Sequence, residues 1–164
     1  MVRTHLGARF LMMTAKIDEQ YMREALKEAE RALAALEKPV GAIIVQKTRM
    51  LARAAHQTKT LRDPTAHAAI IAITQAANAL QANQLEGTTL YVTQEPCVMC
   101  TGAVLLAGVS RLVFGAEDAK QGACGSAIDV PSNERLNKKL SVTRGVLVSE
   151  CAAILRKAPV SVRA

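Results

Sequence analysis

Residues Thr88-Thr89-Leu90-Tyr91-Val92-Thr93-Gln94-Glu95-Pro96-Cys97-Val98-Met99-Cys100 hold the pattern that decides the fold. The first six are β-branched, aromatic or apolar, as in a buried strand, and the apolar run from Cys97 to Ala107 is typical of a helix. Pro96 suits the helix entry because proline has no backbone N–H to leave unpaired. Two cysteines at a helix start place both sulfurs near one point, where free N–H groups favour thiolates.

A histidine thirty residues before Cys97 extends this site. His67 follows Asp63-Pro64-Thr65, which predicts a helix capped by Thr65 and running from Ala66 to about Ala82. If the two helix starts face each other, one histidine and two cysteines reach a single ion. Three protein ligands leave the fourth position of zinc to water, which is the catalytic arrangement.

Other interpretations of the cysteine pair remain open at this point. The C-x-x-C motif alone also fits a redox pair or half of a structural zinc knuckle. A knuckle needs a second ligand pair, and Cys124 and Cys151 are too far apart in the sequence to form one. A lone histidine is usually held by hydrogen bonds within a core. The combination of His67 with Cys97 and Cys100 favours catalytic zinc.

Alternating helical and strand patterns occupy the rest of the chain. Asp18 is predicted to cap a first helix, whose apolar face consists of Met22, Ala25, Leu26, Ala29, Leu33 and Leu36. Further strands are expected at 40–45, 50–55, 111–115 and 140–148, a closing helix at 150–157 and a long functional loop at 116–137. The link at 46–49 is short enough for a hairpin, although it lacks glycine. This order predicts an α/β fold in which helices cover both faces of a mixed five-stranded sheet.

Composition and charge set the outer limits. The 164 residues suit one domain, and the net charge of +7 suggests an anionic partner such as nucleic acid without identifying it. No apolar run reaches the ~18 residues of a membrane helix. Four cysteines without a regular disulfide spacing favour a reduced, cytoplasmic setting. Residues 1–16 contain no acidic residue and are expected to be a leader, tag or upstream extension, with the domain at 17–158 and a tail at 159–164.

Several ordered motifs resemble those of one enzyme family. They are Asp63-Pro64-Thr65-Ala66-His67-Ala68, Thr89-Leu90-Tyr91-Val92-Thr93 and Glu95-Pro96-Cys97-Val98-Met99-Cys100, with further similarity at 39–42, 114–116, 118–120 and 150–153. The signature of the zinc nucleobase deaminases is H-x-E followed by P-C-x-x-C, and this chain has His67-Ala68-Ala69 in place of H-x-E. From Asp18 to Leu155 the chain is similar to the bacterial tRNA adenosine deaminases, which belong to the cytidine deaminase-like superfamily.

The resemblance implies a three-layer α/β/α fold and zinc-dependent hydrolytic deamination of adenosine to inosine at the tRNA wobble position. By analogy, His67, Cys97 and Cys100 hold Zn²⁺, and the adenine is flipped out of the anticodon stem-loop into a pocket. The backbone at Ala68 and Cys97 faces the reacting base, and Val40 and residue 56 line the pocket. The resemblance also implies a homodimer, for which the apolar segment 103–107 is a candidate contact; that segment could equally be core.

The chain departs from the family at the catalytic glutamate, whose position is occupied by Ala69. That glutamate moves protons between the zinc-bound water, the base and the leaving amine, and a positioned acid–base group is typically worth ~10²–10⁴ in rate. The expected result is a nearly silent enzyme that still binds zinc and substrate. We favour an engineered substitution, because every other part of the motif is present. A natural non-catalytic relative is the alternative, and replacement of the base by His56 is a third.

Position 56 is the second departure, because the family commonly has asparagine there. Histidine presents a different set of donors and acceptors to a bound base, so the preferred base can differ. The alternative is that His56 arose by neutral drift and does not change the preferred base. The third departure is the tail, which ends at Ala164 without the longer basic helix that many family members have. Candidate phosphate contacts remain among surface cations, any of which could be a solvated charge: Lys59, Arg62, Lys120, Lys138, Lys139 and Arg144.

Three functions follow from these patterns. The leading prediction is a zinc tRNA adenosine deaminase disabled at Ala69. The second is a deaminase of another base or nucleic acid (cytosine, guanine or DNA), with a specificity altered at His56. The third is a non-catalytic RNA-binding paralogue that keeps zinc for structure, which would bind RNA without deaminating it even after Ala69→Glu.

Overall fold

The computed structural model describes residues 3–136 and 140–159. Within these residues nine elements follow one another, four helices and five strands. In order they are α1 (Arg3–Ala34), β1 (Gly41–Gln46), β2 (Arg49–Ala55), α2 (Ala68–Leu80), β3 (Thr88–Gln94), α3 (Val98–Leu106), β4 (Arg111–Ala116), β5 (Ser141–Arg144) and α4 (Val148–Arg156).

The five strands form one mixed sheet in the order β2-β1-β3-β4-β5. β1 pairs antiparallel with β2 and β3, whereas β4 lies parallel to both β3 and β5. The parallel pair β3–β4 is joined through α3, because parallel neighbours need a crossover connection. The predicted mixed five-stranded sheet is confirmed.

Helices cover both faces of the sheet. On one face, α2 and α3 pack on alternate strand residues that include Ile44, Leu90 and Phe114. On the other face, α1 contributes Met22 and Ala25 and α4 contributes Cys151, against Ile43, Tyr91 and Val113. Alternate residues of one strand therefore serve two cores, as a pleated strand buried on both faces requires. The three-layer α/β/α fold is confirmed.

The prediction that Asp18 caps the first helix is wrong. α1 begins at Arg3, so Asp18 lies within the helix. Its carboxylate instead accepts two hydrogen bonds of 2.7 Å from the Arg111 guanidinium and one of 2.9 Å from the Tyr91 hydroxyl. The role of Asp18 is therefore a long-range ion pair that joins α1 to Arg111 of β4. α1 runs without a break through residue 16, and the assignment of residues 1–16 to a leader stays a prediction.

The start of α2 also differs from the prediction. The helix begins at Ala68 with His67 as its N-cap residue, and the Thr65 hydroxyl donates to Asp63 at 2.7 Å instead of capping. The short link after β1 does form a hairpin without glycine, because Lys47 itself adopts a positive φ of 55°. β5 is shorter than predicted, since Gly145 leaves the strand conformation with φ 81°.

One close approach fixes α1 on the sheet. A Cβ built at Gly41 would lie 2.0 Å from the carbonyl oxygen of Ala25 and 2.5 Å from the amide nitrogen of Ala29, so β1 and α1 meet backbone to backbone. Within the described ranges, the helices lack either the length or the apolar character needed to cross a bilayer.

Candidate metal centre

The N-termini of α2 and α3 meet at one point beside the sheet. His67 and Cys97 are the two N-cap residues, both with extended backbone, and neither side chain makes a capping hydrogen bond. The His67 Nδ1 atom lies 3.7 Å from the Cys97 Sγ and 3.4 Å from the Cys100 Sγ. The structure thus brings together the three residues that the sequence predicted as metal ligands.

The donor set fits zinc. The nitrogen and the two sulfurs all lie within 4.8 Å of one another. A tetrahedral ion with Zn–S of ~2.3 Å and Zn–N of ~2.0 Å separates its sulfur and nitrogen ligands by about 3.5 Å, which matches the observed spacing. One imidazole and two thiols form a ligand set that binds zinc in preference to magnesium or calcium.

The electrostatics of the cluster favour a metal-binding thiolate. The Cys100 thiol donates toward the Cys97 sulfur, and together with the contact to the His67 ring this lowers the pKa of Cys97 to about 3, whereas the same pairing and burial raise the pKa of Cys100. The thiolate is the form of cysteine that ligates metals. By contrast, burial raises the pKa of Cys124 to about 11, and Cys124 lies outside the cluster with its sulfur 3.4 Å from the Thr101 hydroxyl. The cysteines are therefore chemically distinct.

The cluster opens into a cavity of about 510 Å³. The residues that the resemblance assigned to a substrate pocket all line it, together with a number of residues that were not predicted. The predicted ones are Val40, His56, Ala68 and Cys97, and the cavity is also lined by Lys38, Thr58, Pro64, Gln94, Glu95, Asp118 and Gln121.

Ala69 lines the cavity at the start of α2, beside His67. Its methyl group is 3 % exposed and offers no proton donor or acceptor. His56 lies nearby, with its ring centroid 4.9 Å from that of His67 and its Nε2 atom 3.3 Å from the Thr58 hydroxyl. Burial, followed by the neighbouring charge of His67, lowers the pKa of His56 to about 4. The His56 side chain is thus neutral at pH 7 and partnered by Thr58.

Two buried carboxylates hold the loops around the cavity. Glu95 accepts hydrogen bonds from the amides of Asp118, Cys124 and Ser126, at 3.0, 2.9 and 3.1 Å, and from the Ser126 hydroxyl. These bonds shape the first part of the predicted long loop and set it beside Cys97, which forms a bridge with Gly122.

Glu37 plays the same part on the other side of the cavity. Its carboxylate, 0 % exposed, accepts from the amides of Lys59 and Thr60, at 2.9 and 2.7 Å, and from the Thr60 hydroxyl at 2.9 Å. Sequence reasoning missed Glu37, Lys38 and Glu95 as site residues. The available signal was a glutamate close to a proline at the end or the start of a helix, as Glu37 is to Pro39 and Glu95 is to Pro96. A charged group buried at such a junction needs partners.

The predicted phosphate contacts do not all lie at the cavity. Lys59 and Arg62 line the cavity. Lys120 is exposed and adjoins Gln121, which lines the cavity. Arg144 donates to the carbonyl oxygen of Cys124 at 3.0 Å and lies against Gly125, so it supports the loop. Lys138 and Lys139 lie outside the described residues.

Comparison with known proteins agrees with this geometry. The family model of the cytidine and deoxycytidylate deaminase zinc-binding region matches residues 15–116. The chain is 45% identical over 138 residues to the tRNA-specific adenosine deaminase of Bacillus subtilis, covering 84% of this chain and 86% of that protein. The corresponding enzyme of Haemophilus influenzae is 45% identical over 139 residues, covering 84% and 80%. The chain belongs to the cytidine deaminase family, in the branch of the tRNA-specific adenosine deaminases.

Solved structures give the same relation. One from a study of A-to-I editing by tRNA:A34 deaminases at the wobble position superposes with a TM-score of 0.80 and 41% identity, covering 82% of this chain and 98% of that one. The guanine deaminase of Nitrosomonas europaea superposes with a TM-score of 0.72 and 29% identity, covering 85% and 83%. This chain therefore shares its fold with deaminases that act on different purines.

Proposed function

We propose that the chain carries the site of a zinc-dependent tRNA adenosine deaminase, specific for the wobble adenosine, and that Ala69 leaves this site without its proton carrier. The observation that carries the proposal is the His67–Cys97–Cys100 cluster at the wall of a cavity large enough for a nucleoside. The tRNA-specific relatives at 45% identity support the choice of adenosine in tRNA.

Each part of the site has a proposed role. His67, Cys97 and Cys100 would hold Zn²⁺, which in such sites lowers the pKa of a bound water toward ~7. The buried backbone at Ala68 would face the base, and the side chains of Val40 and His56 would contact it. These groups bind and orient the base whether or not the reaction proceeds.

The missing function is proton transfer at position 69. Adenosine deamination requires a proton to reach the purine ring and another to reach the departing amine. The Ala69 methyl group can carry neither, and His56 is turned to Thr58, with its Nε2 atom 3.3 Å from that hydroxyl. A positioned acid–base group is worth ~10²–10⁴ in rate, so we expect turnover to fall by at least this factor while binding persists.

The test compares this chain with Ala69→Glu and Ala69→Gln on a stem-loop that carries an adenosine at the wobble position, scoring inosine. We expect product from the glutamate variant only, because glutamine has nearly the same size but cannot shuttle protons. Zinc content is measured in all three proteins. If all three bind zinc and the glutamate variant makes no inosine, the proposed adenosine activity is wrong.

His56 supports one alternative substrate class. It lines the cavity where the family commonly has asparagine, and a guanine deaminase is among the structural neighbours. This alternative would be favoured if the Ala69→Glu variant released ammonia from guanine or cytosine, or deaminated DNA. RNA binding without deamination by Ala69→Glu would instead favour a non-catalytic RNA-binding paralogue.

The proposal includes a homodimer through α3. Leu106 is 82% exposed and Val98 is 59% exposed, so this short helix presents apolar side chains to solvent while Val104 packs in the core. Exposed apolar residues grouped on one element are typical of an interaction surface. The predicted segment 103–107 is thus divided between core and surface.

A further inference from the structure

The carboxylates that line the cavity are engaged by the loops around it. Glu95 accepts three backbone amides and a hydroxyl, and Asp118 accepts the Gln94 side-chain amide at 2.8 Å and two backbone amides. In the described part of the chain, no carboxylate oxygen joins the group of donor atoms that forms the metal cluster. The described carboxylates therefore shape the cavity, and none of them is placed as a proton carrier at the cluster.

Ala69 leaves open space at the buried end of the cavity. It follows His67 by two residues in the first turn of α2, and both residues line the cavity. An alanine side chain ends at Cβ, whereas a glutamate would add one CH₂ group and one carboxyl group, which together have the size of acetic acid. Cavities of ~300–1,000 Å³ accommodate drug-sized ligands. The volume of about 510 Å³ therefore gives room for a base and a small acid together.

The charges around this end of the cavity favour an anion. Lys38 lines the cavity, and none of the ion pairs within residues 3–136 and 140–159 involves it. Burial, followed by the positive charges of His67 and Lys38, lowers the pKa of His56, so the field of Lys38 extends to the buried end. His56 and Ala69 are 6% and 3% exposed, and charges interact more strongly where water is excluded. A small carboxylate is thus attracted to the space beside Ala69.

We propose that the space beside Ala69 binds a small carboxylic acid from solution, of the size of formic or acetic acid, and that this acid carries protons during deamination. The inference rests on the proposed function and deepens it, because it names a second ligand of the same site. The acid replaces a side chain that the chain itself does not supply.

The proton transfers balance without any other reagent. Water forms a bond from its oxygen to C6 of the adenine, the bond from C6 to the amine nitrogen breaks, and adenosine and water become inosine and ammonia. The carboxylate takes one proton from the attacking water and, as the acid, gives it to the purine ring. A second proton passes through the same group from the new hydroxyl to the departing amine. The carboxylate is regenerated at the end of each turnover.

The test measures inosine formation by the zinc-loaded full chain on the wobble-adenosine stem-loop. Sodium formate, acetate, propionate and trimethylacetate are titrated at constant pH and ionic strength, with sodium chloride as the reference salt. Ala69→Gln fills the space with a group that cannot shuttle protons, and Ala69→Glu supplies the carboxylate permanently. Ala35→Gln is the matched control, because Ala35 is exposed after the end of α1 and lies outside the cavity lining.

A second readout does not depend on turnover. Saturation-transfer NMR of the acetate methyl protons reports binding to the zinc-loaded protein without RNA. We expect a signal from the parent chain and from Ala35→Gln, and its loss in Ala69→Gln, whose side chain occupies the same space.

We expect acetate to raise the rate of the parent chain at least ~10-fold over chloride, as part of the ~10²–10⁴ that a positioned acid–base group supplies. The increase should saturate, and it should stay below the rate of Ala69→Glu because a free acid must first be brought into place. Formate should also accelerate the reaction, propionate less than acetate, and trimethylacetate not at all. Acetate and trimethylacetate are similarly strong acids, so this order reports the size of the space. The rate of Ala69→Glu should not depend on the added acid.

The outcomes separate this inference from the proposed function. If Ala69→Glu makes inosine and no acid raises the rate of the parent chain above that in chloride, the inference is wrong and the proposed function stands. Equal acceleration of the parent chain and Ala69→Gln would also overturn the inference, because the acid would then act from bulk solution. Acetate that binds by NMR but leaves the rate unchanged would show a ligand that carries no protons. If Ala69→Glu and the acid-treated parent chain both make no inosine, the inference and the proposed function fail together.

Discussion

Replacement of Glu37 tests whether one buried carboxylate orders the wall of the cavity. In the structure the 58–60 loop donates two backbone hydrogen bonds, of 2.7 and 2.9 Å, to this side chain, and two hydroxyl hydrogen bonds, of 2.9 Å from Thr60 and 3.4 Å from Thr58. Hydrogen bonds to charged groups contribute about 1.5–3 kcal/mol each, and water can recover part of that at the exposed Lys59 and Thr60. We therefore expect Glu37→Ala to lower the free energy of unfolding by ~2–4 kcal/mol.

Glu37→Gln keeps the shape and removes the charge, so its expected effect is smaller, about 1–2 kcal/mol. The assay is urea unfolding followed by circular dichroism, with Glu30→Gln as the matched control on the exposed side of α1. Because ~1 kcal/mol moves the melting temperature of a domain of this size by about 2–4 °C, thermal melts give a second measurement. Unfolding free energies of Glu37→Ala and Glu30→Gln that agree within ~0.5 kcal/mol would refute the role given to Glu37.

The pH dependence gives this prediction a sign. Burial alone would raise the pKa of Glu37, but the amides of Thr60 and Lys59 outweigh it and hold the pKa below the usual 4.5. The unfolded chain then binds the proton more readily, so the stabilisation is complete above about pH 4.5 and is lost as the pH falls through the lower folded value. The difference between the parent chain and Glu37→Gln should shrink under acid; a constant difference down to about pH 3 would contradict the ionised state.

Three further outcomes are expected. Gly41→Ala should destabilise the fold by at least ~1–3 kcal/mol, because its Cβ would meet the α1 backbone at 2.0 Å, while Gly102→Ala, with open space around it, should be neutral or slightly stabilising in the same melt. Cys100→Ala should abolish stoichiometric zinc measured by atomic emission, and Cys124→Ser should retain it; equal zinc in both would contradict the assigned ligands. Leu106→Asp should shift the sedimentation coefficient to that of a monomer, whereas Leu61→Asp, at another exposed leucine, should not; an unchanged dimer in Leu106→Asp would place the contact elsewhere.

Much of the fold could be predicted because its elements carry local signals. Short apolar, β-branched runs marked the strands and helical spacing marked α1, and alternation of the two predicted a covered sheet. Local rules failed where a distant partner competes for the same side chain. Asp18 has the chemistry of a cap, yet Arg111, 93 residues away, takes both of its oxygens. Thr65 could cap α2, but the Asp63 carboxylate holds its hydroxyl and the helix starts later.

The candidate site shows the same division. Residue type and spacing identified His67, Cys97 and Cys100, and the family resemblance marked the alanine at position 69, because ligand chemistry depends on residue type and on position at a helix start. Only the tertiary structure could place Lys38 beside Lys59 and Arg62, since that proximity depends on the Glu37 carboxylate binding a loop more than twenty residues further along the chain. The sequence by itself determined which metal-binding residue types are present and that alanine stands at position 69. The packing of distant segments decided how those groups share one cavity, because contacts between segments depend on how the sheet and its loops bring them together.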